Sequence, residues 1–206
     1  RSGIQPKDVI LGAMASSAAR YSEGTPGRNW RSVEDTTLDP IINGRKPLPQ
    51  ASLTRGEDYY NEGALVWLEA DQVIRTGTRG AKGLDDFAKA FFGMRDGDWG
   101  QLTYTFDDVV GTLNAVYPYD WAKFLKDRLY ETNAPAPLAG IEKAGYKLVW
   151  KDLPNPYEAG LARYRRSLDL TYSLGMTINA EGDVLSSVWD GPAFNAGLVK
   201  GSKIVA

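Results

Sequence analysis

The run from Glu57 to Thr76 constrains the fold more than any other part of the chain. Ala64, Leu65, Leu68, Ala70 and Ile74 recur at helical spacing with Trp67 beside them, while Glu62, Glu69, Asp71 and Gln72 keep another side polar. Gly77 and Gly80 end the run. Shorter helices are predicted around it. Pro6 to Tyr21 carries Val9, Ile10, Ala13, Met14 and Ala18 in helical register. Asp85 to Phe92 puts Phe87, Phe91 and Phe92 on an inner side. Thr105 can cap a helix whose stripe is Val109, Val110, Leu113 and Val116, with Asp107 and Asp108 at its positive end and Pro118 as its break. Asp120 to Leu129 follows, with Trp121, Phe124 and Leu125 on its apolar face, and Pro137 to Ala144 is a last short helix.

The pattern changes at Gly145. Tyr146 to Trp150, Arg163 to Thr171, Leu174 to Ile178, Val184 to Trp189 and Ser202 to Ala206 are strand candidates, with a short helix over Pro192 to Gly197. Ser22 to Gln50, which holds four of the eleven prolines, is expected to be irregular, and connections that long often line functional sites. The predicted plan is a helical domain over 1–144 followed by a small β-rich domain over 145–206. The chain opens on Arg1 rather than Met and closes within a predicted strand, so both ends read as cuts.

Composition narrows the chemistry. Hydrophobic residues make up 43% and charged residues 24% of the 206 positions, which is ordinary for a packed globular chain. The formal net charge is −2, which argues against a dominant nucleic-acid surface, and no apolar run is long enough for membrane insertion. The chain has neither Cys nor His. A Ser-His-Asp triad, a Cys-His pair, an HExxH zinc site and a disulfide framework are therefore excluded within these residues. No GxGxxG or GxxxxGK[ST] spacing supports nucleotide binding.

Carboxylates and tyrosines are what remain for chemistry. Glu62 and Glu69 are seven apart and share a helix face, so they are either a paired-carboxylate site or a solvated acidic face beside Arg55 and Arg75. Tyr59 and Tyr60 either pack as an aromatic pair at a helix start or present a hydroxyl to a developing oxyanion. Ser173, Leu174, Gly175 and Met176 form a short glycine loop before a strand. Such a loop either leaves N–H groups free for a chain-end carboxylate, beside a strand edge for an extended peptide, or belongs to an ordinary tight β domain.

Two resemblances attach to these residues. From about Ser173 the chain resembles a bacterial, protease-associated PDZ domain. Ser173-Leu174-Gly175-Met176 stands at its carboxylate-binding loop, and Gly191-Pro192-Ala193, Ala196-Gly197-Leu198 and Gly201-Ser202-Lys203-Ile204-Val205 follow its "SPAxxAGLxxGDxI" pattern. Gly191 replaces the usual Ser, Ser202 stands where the pattern has Asp, and the domain's last helix and strand are missing. The helical part resembles the M61 glycyl aminopeptidases. That likeness runs through Tyr59-Tyr60, Glu62-Gly63-Ala64-Leu65-Val66-Trp67-Leu68, Asp71, Ile74-Arg75, Leu84 to Phe87, Phe91-Phe92-Gly93, Asp107-Asp108-Val109 and Asp120-Trp121 with Phe124-Leu125.

Together they imply a mainly α-helical lobe, the C-terminal lobe of a thermolysin-like peptidase, followed by a truncated PDZ-like domain. The implied parent is a zinc aminopeptidase removing small N-terminal residues, Gly or Ala, and exported to the periplasm or secreted. Its HExxH helix and third zinc ligand are expected to precede Arg1. No cofactor is then expected in this chain, and the isolated chain is expected to be inactive. The resemblance further implies that Tyr59 or Tyr60 lines the catalytic cleft and that Glu57 or Asp58 holds the substrate amine. Peptides or protein C-termini are the expected partners. The competing readings are a non-catalytic peptide-binding module and a helical scaffold.

Overall fold

The computed structural model describes residues 3–39 and 50–205. A helical lobe comes first and a small antiparallel sheet closes the chain. Helix α1, Lys7–Ala19, runs on into a single π turn, Arg20–Gly24. Two 3-10 turns follow, Pro26–Asn29 and Asp35–Leu38. Of the predicted irregular segment, residues 40–49 lie outside the described residues.

After a single turn of helix, α2 (Ala51–Thr54), the central helix α3 spans Asn61–Gly77. It begins later than the apolar pattern predicts because Arg55 and Glu57 take φ of 50° and 51°, left-handed conformations that no α-helix can contain. Its buried face is Leu65, Val66, Ala70, Val73 and Ile74, together with Glu62 and Glu69; Ala64, placed on the inner stripe by its spacing, is exposed.

Helices α4 (Leu84–Phe92), α5 (Phe106–Val116) and α6 (Trp121–Leu129) form the main core with one end of α3. The starts of α5 and α6 are explained by their caps. Thr105 accepts from Asp108 N while Thr105 N donates to the Asp108 carboxylate, a reciprocal pair that satisfies two orphan helix-end groups. Asp120 caps α6 through Lys123 N. Trp121 is fully buried, and its indole N–H donates to Tyr117 O at 2.8 Å. Phe92, predicted to face inward, is 78% exposed: Phe87 and Phe91 already fill that side at i and i+4.

Helix α7, Ala139–Lys143, crosses α3 at close range. A Cβ on Gly140 would stand 2.6 Å from Glu69 N, so only glycine admits this crossing. Gly140→Ala should therefore push α7 off α3 at a cost of about 1–3 kcal/mol, read as a lower denaturant midpoint. Gly63→Ala, in α3 and with nothing within 4 Å of the added carbon, should instead raise stability by about 0.5–1 kcal/mol.

Helical structure continues past Gly145. Tyr146 to Trp150, predicted as a strand, pairs with no strand, and Arg163 to Arg165 end a helix, α8 (Pro156–Arg165), rather than open a strand. Asn155 caps α8 by accepting from Glu158 N, and Pro156 occupies its first turn. Arg166, at φ 51°, ends it. The amide of Asn155 also reaches Gly12 O and Ser16 Oγ, pinning α8 to α1.

Strands β1 (Ser167–Leu170), β2 (Met176–Asn179) and β3 (Val184–Ser187) make one antiparallel sheet in the order β1-β2-β3. Helix α9, Pro192–Asn195, covers it through Ala193, over Met176 and Val184. The predicted strand from Ser202 contributes only an isolated bridge, Lys203 to Asp183; Ala206 lies outside the described residues. Ser52 ties the sheet to the helical lobe, its hydroxyl accepting from Trp189 N at 2.8 Å.

Candidate active-site turn

The segment from Arg55 to Tyr60 joins α2 to α3 and rests on buried charge. Arg55, Asp58 and Glu62 are each at most 2% exposed. The Arg55 guanidinium forks between two carboxylates: Nε donates to Asp58 Oδ2 at 2.8 Å, and Nη2 donates to Glu62 Oε2. Its Nη1 donates to Arg31 O at 2.6 Å. From the other side Arg28 donates to Glu62 Oε1 through Nε and Nη2, at 3.0 and 2.8 Å. Asp58 Oδ1 accepts from Arg20 Nη2 and from the Tyr21 hydroxyl, both at 3.2 Å. Burial, with the Asp58 charge next, raises the Tyr21 pKa well above its ordinary value, so that hydroxyl remains a donor. Three arginines thus neutralise two buried carboxylates, the condition under which such charges are tolerated.

Glu69 is handled separately. It is 3% exposed and accepts from Arg128 Nε and Nη2 at 2.9 and 2.8 Å, with Lys143 Nζ 4.0 Å away. Glu62 and Glu69 are therefore neither a solvated face nor a carboxylate pair, because Glu62 is desolvated against Arg28 and Arg55 and Glu69 against Arg128.

Around this network the four residues 57–60 divide. Asp58 is inside, with both oxygens engaged. Glu57 is exposed on the left-handed turn. Tyr60 is 68% exposed, and Tyr59 lies half-buried behind it with ring centroids 4.5 Å apart. Hydrogen bonding to Tyr60 raises the Tyr59 pKa, reinforced by desolvation and by the charges of Tyr60 and Glu57, so the Tyr59 hydroxyl keeps its proton at neutral pH.

The second predicted site sits on the sheet. The N–H groups of Ser173, Leu174 and Gly175 all donate to Leu170 O, at 3.2, 2.9 and 2.9 Å. Met176 begins β2, which is bonded along both edges, to β1 through Leu170↔Met176 to Ser167↔Asn179 and to β3 on the other side. A chain-end carboxylate at this loop would compete with Leu170 for its donors, and an added strand would have to displace β1 or β3.

Arg55, Asp58 and Glu62 are close in sequence, but the left-handed turn before α3, and not helical spacing, brings the guanidinium to both acids. Arg20, Tyr21 and Arg28 come from more than thirty residues away, and nothing local announces them.

Among the described residues no group of three or more His, Cys, Asp or Glu is placed to hold a metal, and no helix is long and apolar enough to cross a membrane. The donors closest to a ligand set, Asp58, Glu62 and Glu69, have their oxygens taken by arginines. The zinc implied by the family likeness thus finds no fitting residues here.

Comparison with known proteins bears on the same turn. Residues 1–66 match the family model of the M61 glycyl aminopeptidases. The matched segment contains Glu57 to Tyr60 and the whole Arg20–Arg28–Arg55–Asp58–Glu62 network, and it stops inside α3, well before the PDZ-like segment. No curated protein matches the chain. Through residues 1–66, then, the chain is similar to the M61 glycyl aminopeptidases.

Proposed function

We propose that the Arg55–Tyr60 turn is one wall of an aminopeptidase cleft acting on peptides with a small N-terminal residue, glycine or alanine. The observation that carries this reading is the contrast within the turn: Tyr60 projects into solvent from a support whose charged residues are buried and cross-bonded. A hydrogen-bond donor aimed at a developing oxyanion is effective only if it is held in place beforehand. Tyr59 packs its ring against Tyr60, and the Tyr60 O–H is offered to the tetrahedral oxyanion. Glu57, exposed beside it, attracts the substrate's free α-ammonium group. Asp58 holds the turn. Left-handed backbone at both Arg55 and Glu57 is a cost of a kind that clusters at ligand-binding segments.

The test is to read the coding sequence upstream of Arg1 and to assay the polypeptide it encodes on glycyl-, alanyl- and leucyl-arylamides. An in-frame HExxH, followed by a Glu on the next helix and by chelator-sensitive hydrolysis favouring glycine and alanine, is the expected result. An upstream sequence without that motif, or a preference for leucine, overturns the reading.

A further inference from the structure

A cleft of about 390 Å³ lies between the π turn of the helical lobe and the sheet domain. It is separate from the Tyr59–Tyr60 turn, and its walls have an unusual composition. Three aromatic side chains line it, Trp150, Tyr172 and Trp189, together with Pro192 and two carboxylates, Glu23 and Asp190. Trp150 and Tyr172 are in contact at 5.2 Å between ring centroids, tilted by 54°, and Trp189 is backed by Phe194 at 4.6 Å. Both tryptophans keep substantial exposure, 64% and 39%.

The polar atoms sort into two classes. Backbone donors in and beside the walls are used internally: Ser173 and Gly175 donate to Leu170 O, Gly191 N to Val188 O, and Val188 N to Gly175 O. The Glu23 and Asp190 side chains, among the described residues, accept no hydrogen bond and pair with no cation. Asp190 is held on the rim at φ 59°. The field in the cleft is negative. Beside burial of its hydroxyl end near Gly24, the charges of Asp169, Glu158 and Glu23 push the Tyr172 pKa up to about 12, with Arg20 opposing. Arg20 itself is committed to Asp58.

Free anions and the faces of electron-rich rings attract the same ligand, an organic cation. A carboxylate ligand meets the opposite situation, with spent donors and two like charges. The cleft volume lies within the range of about 300–1,000 Å³ typical of ligand sites, more than a lone ammonium ion fills. We propose that this cleft binds the cationic side chain of a lysine or arginine in a peptide, its aliphatic stem against Trp150, Tyr172 and Trp189 and its charged head towards Glu23 and Asp190. An acidic box of this kind would select basic segments of a substrate or partner. It does so whether or not Tyr60 acts in catalysis.

The test is binding by the 206-residue chain, read from the indole N–H resonances of Trp150 and Trp189, assigned with Trp150→Phe and Trp189→Phe. The probes are acetyl-Gly-Lys-Gly-amide, the same peptide with norleucine, and the same peptide with glutamate. The lysine peptide should shift both resonances saturably. The norleucine peptide should bind at least about tenfold more weakly, a cation–π and ion-pair difference of ordinary size. The Glu23→Gln/Asp190→Asn double variant touches only exposed side chains. It should weaken the lysine peptide about tenfold and abolish its advantage over norleucine. Raising salt from 50 to 500 mM should weaken lysine binding in the unmodified chain and leave norleucine unchanged. Equal binding of lysine and norleucine, a preference for glutamate, an unaffected double variant, or no indole shift with lysine each overturns the proposal. Because this readout is binding and not hydrolysis, its failure leaves the Tyr60 reading standing, and the reverse also holds.

Discussion

Replacing Arg55 with methionine is expected to destabilise the protein by about 3–5 kcal/mol, lowering its melting temperature by on the order of 10 °C. The substitution keeps most of the side chain's length and removes its charge. Asp58 and Glu62 would stay buried, each at most 2% exposed, with one guanidinium fewer between them. Glu62 keeps Arg28, at 2.8 Å. Asp58 keeps only the longer contacts from Arg20 and Tyr21, both 3.2 Å, and Arg20 is half exposed to solvent. The cost should therefore fall mainly on Asp58. Adding Asp58→Asn to Arg55→Met should recover part of the loss, because it removes the orphaned charge as well. Arg55→Lys should lie between, since one ammonium cannot bond both carboxylates and Arg31 O in the fork that the guanidinium makes. A loss below about 1 kcal/mol for Arg55→Met in a urea titration would mean that solvent reaches the network.

If the proposed function holds, Tyr60→Phe, made in a polypeptide encoded together with an upstream HExxH helix, is expected to lower kcat by about 10²–10³-fold with little change in KM. That split is the mark of a bond made to the transition state and not to the bound substrate. Tyr59→Phe should have a smaller effect, about tenfold or less, because the ring that supports Tyr60 at 4.5 Å is kept. Neither change should move the melting temperature by more than about 2 °C, since Tyr60 is mostly exposed and phenylalanine keeps the ring contact. A Tyr60→Phe enzyme with unchanged kcat would remove Tyr60 from the chemistry. The turn would then be structural, and the M61 match would say only that it is shared by the family.

The family match and the structure meet at this turn. The matched residues contain every member of the buried network, including the two arginines supplied by the first forty residues. What the matched segment contains, seen physically, is a charged brace under a half-buried Tyr59 and an exposed Tyr60. The sheet that follows is held to it through Ser52, one residue before Leu53, whose carbonyl accepts from the indole of Trp30 at 3.0 Å. The acidic, aromatic cleft lies on the same seam.

Much of the helical lobe was legible without coordinates. Helices α4, α5 and α6 announce themselves through local signals: Thr105 and Asp120 cap them, Gly93 and Pro118 follow them, and Phe87, Leu113 and Trp121 mark their inner faces. These are interactions within a few residues, so they are written locally. Strands β2 and β3 were legible for the same reason, as short runs bounded by turns. Where spacing misled, a distant partner had decided the matter. Glu62 and Glu69 look like a polar face, yet they are buried, because Arg28 and Arg128 arrive from 34 and 59 residues away to neutralise them. Tyr146 to Trp150 alternates like a strand but finds no edge to pair with. The helix over Pro156–Arg165 carries too little periodicity to be seen and exists because α1 offers it a surface and Asn155 a cap. The sequence alone determined which segments could be helices and which chemistry was excluded, because capping, periodicity and the absence of His and Cys are properties of neighbours and of composition. Only the tertiary structure decided which charges are buried, which tyrosine faces solvent and where two free carboxylates meet three aromatic rings, because burial and pairing depend on chain segments that share no sequence neighbourhood.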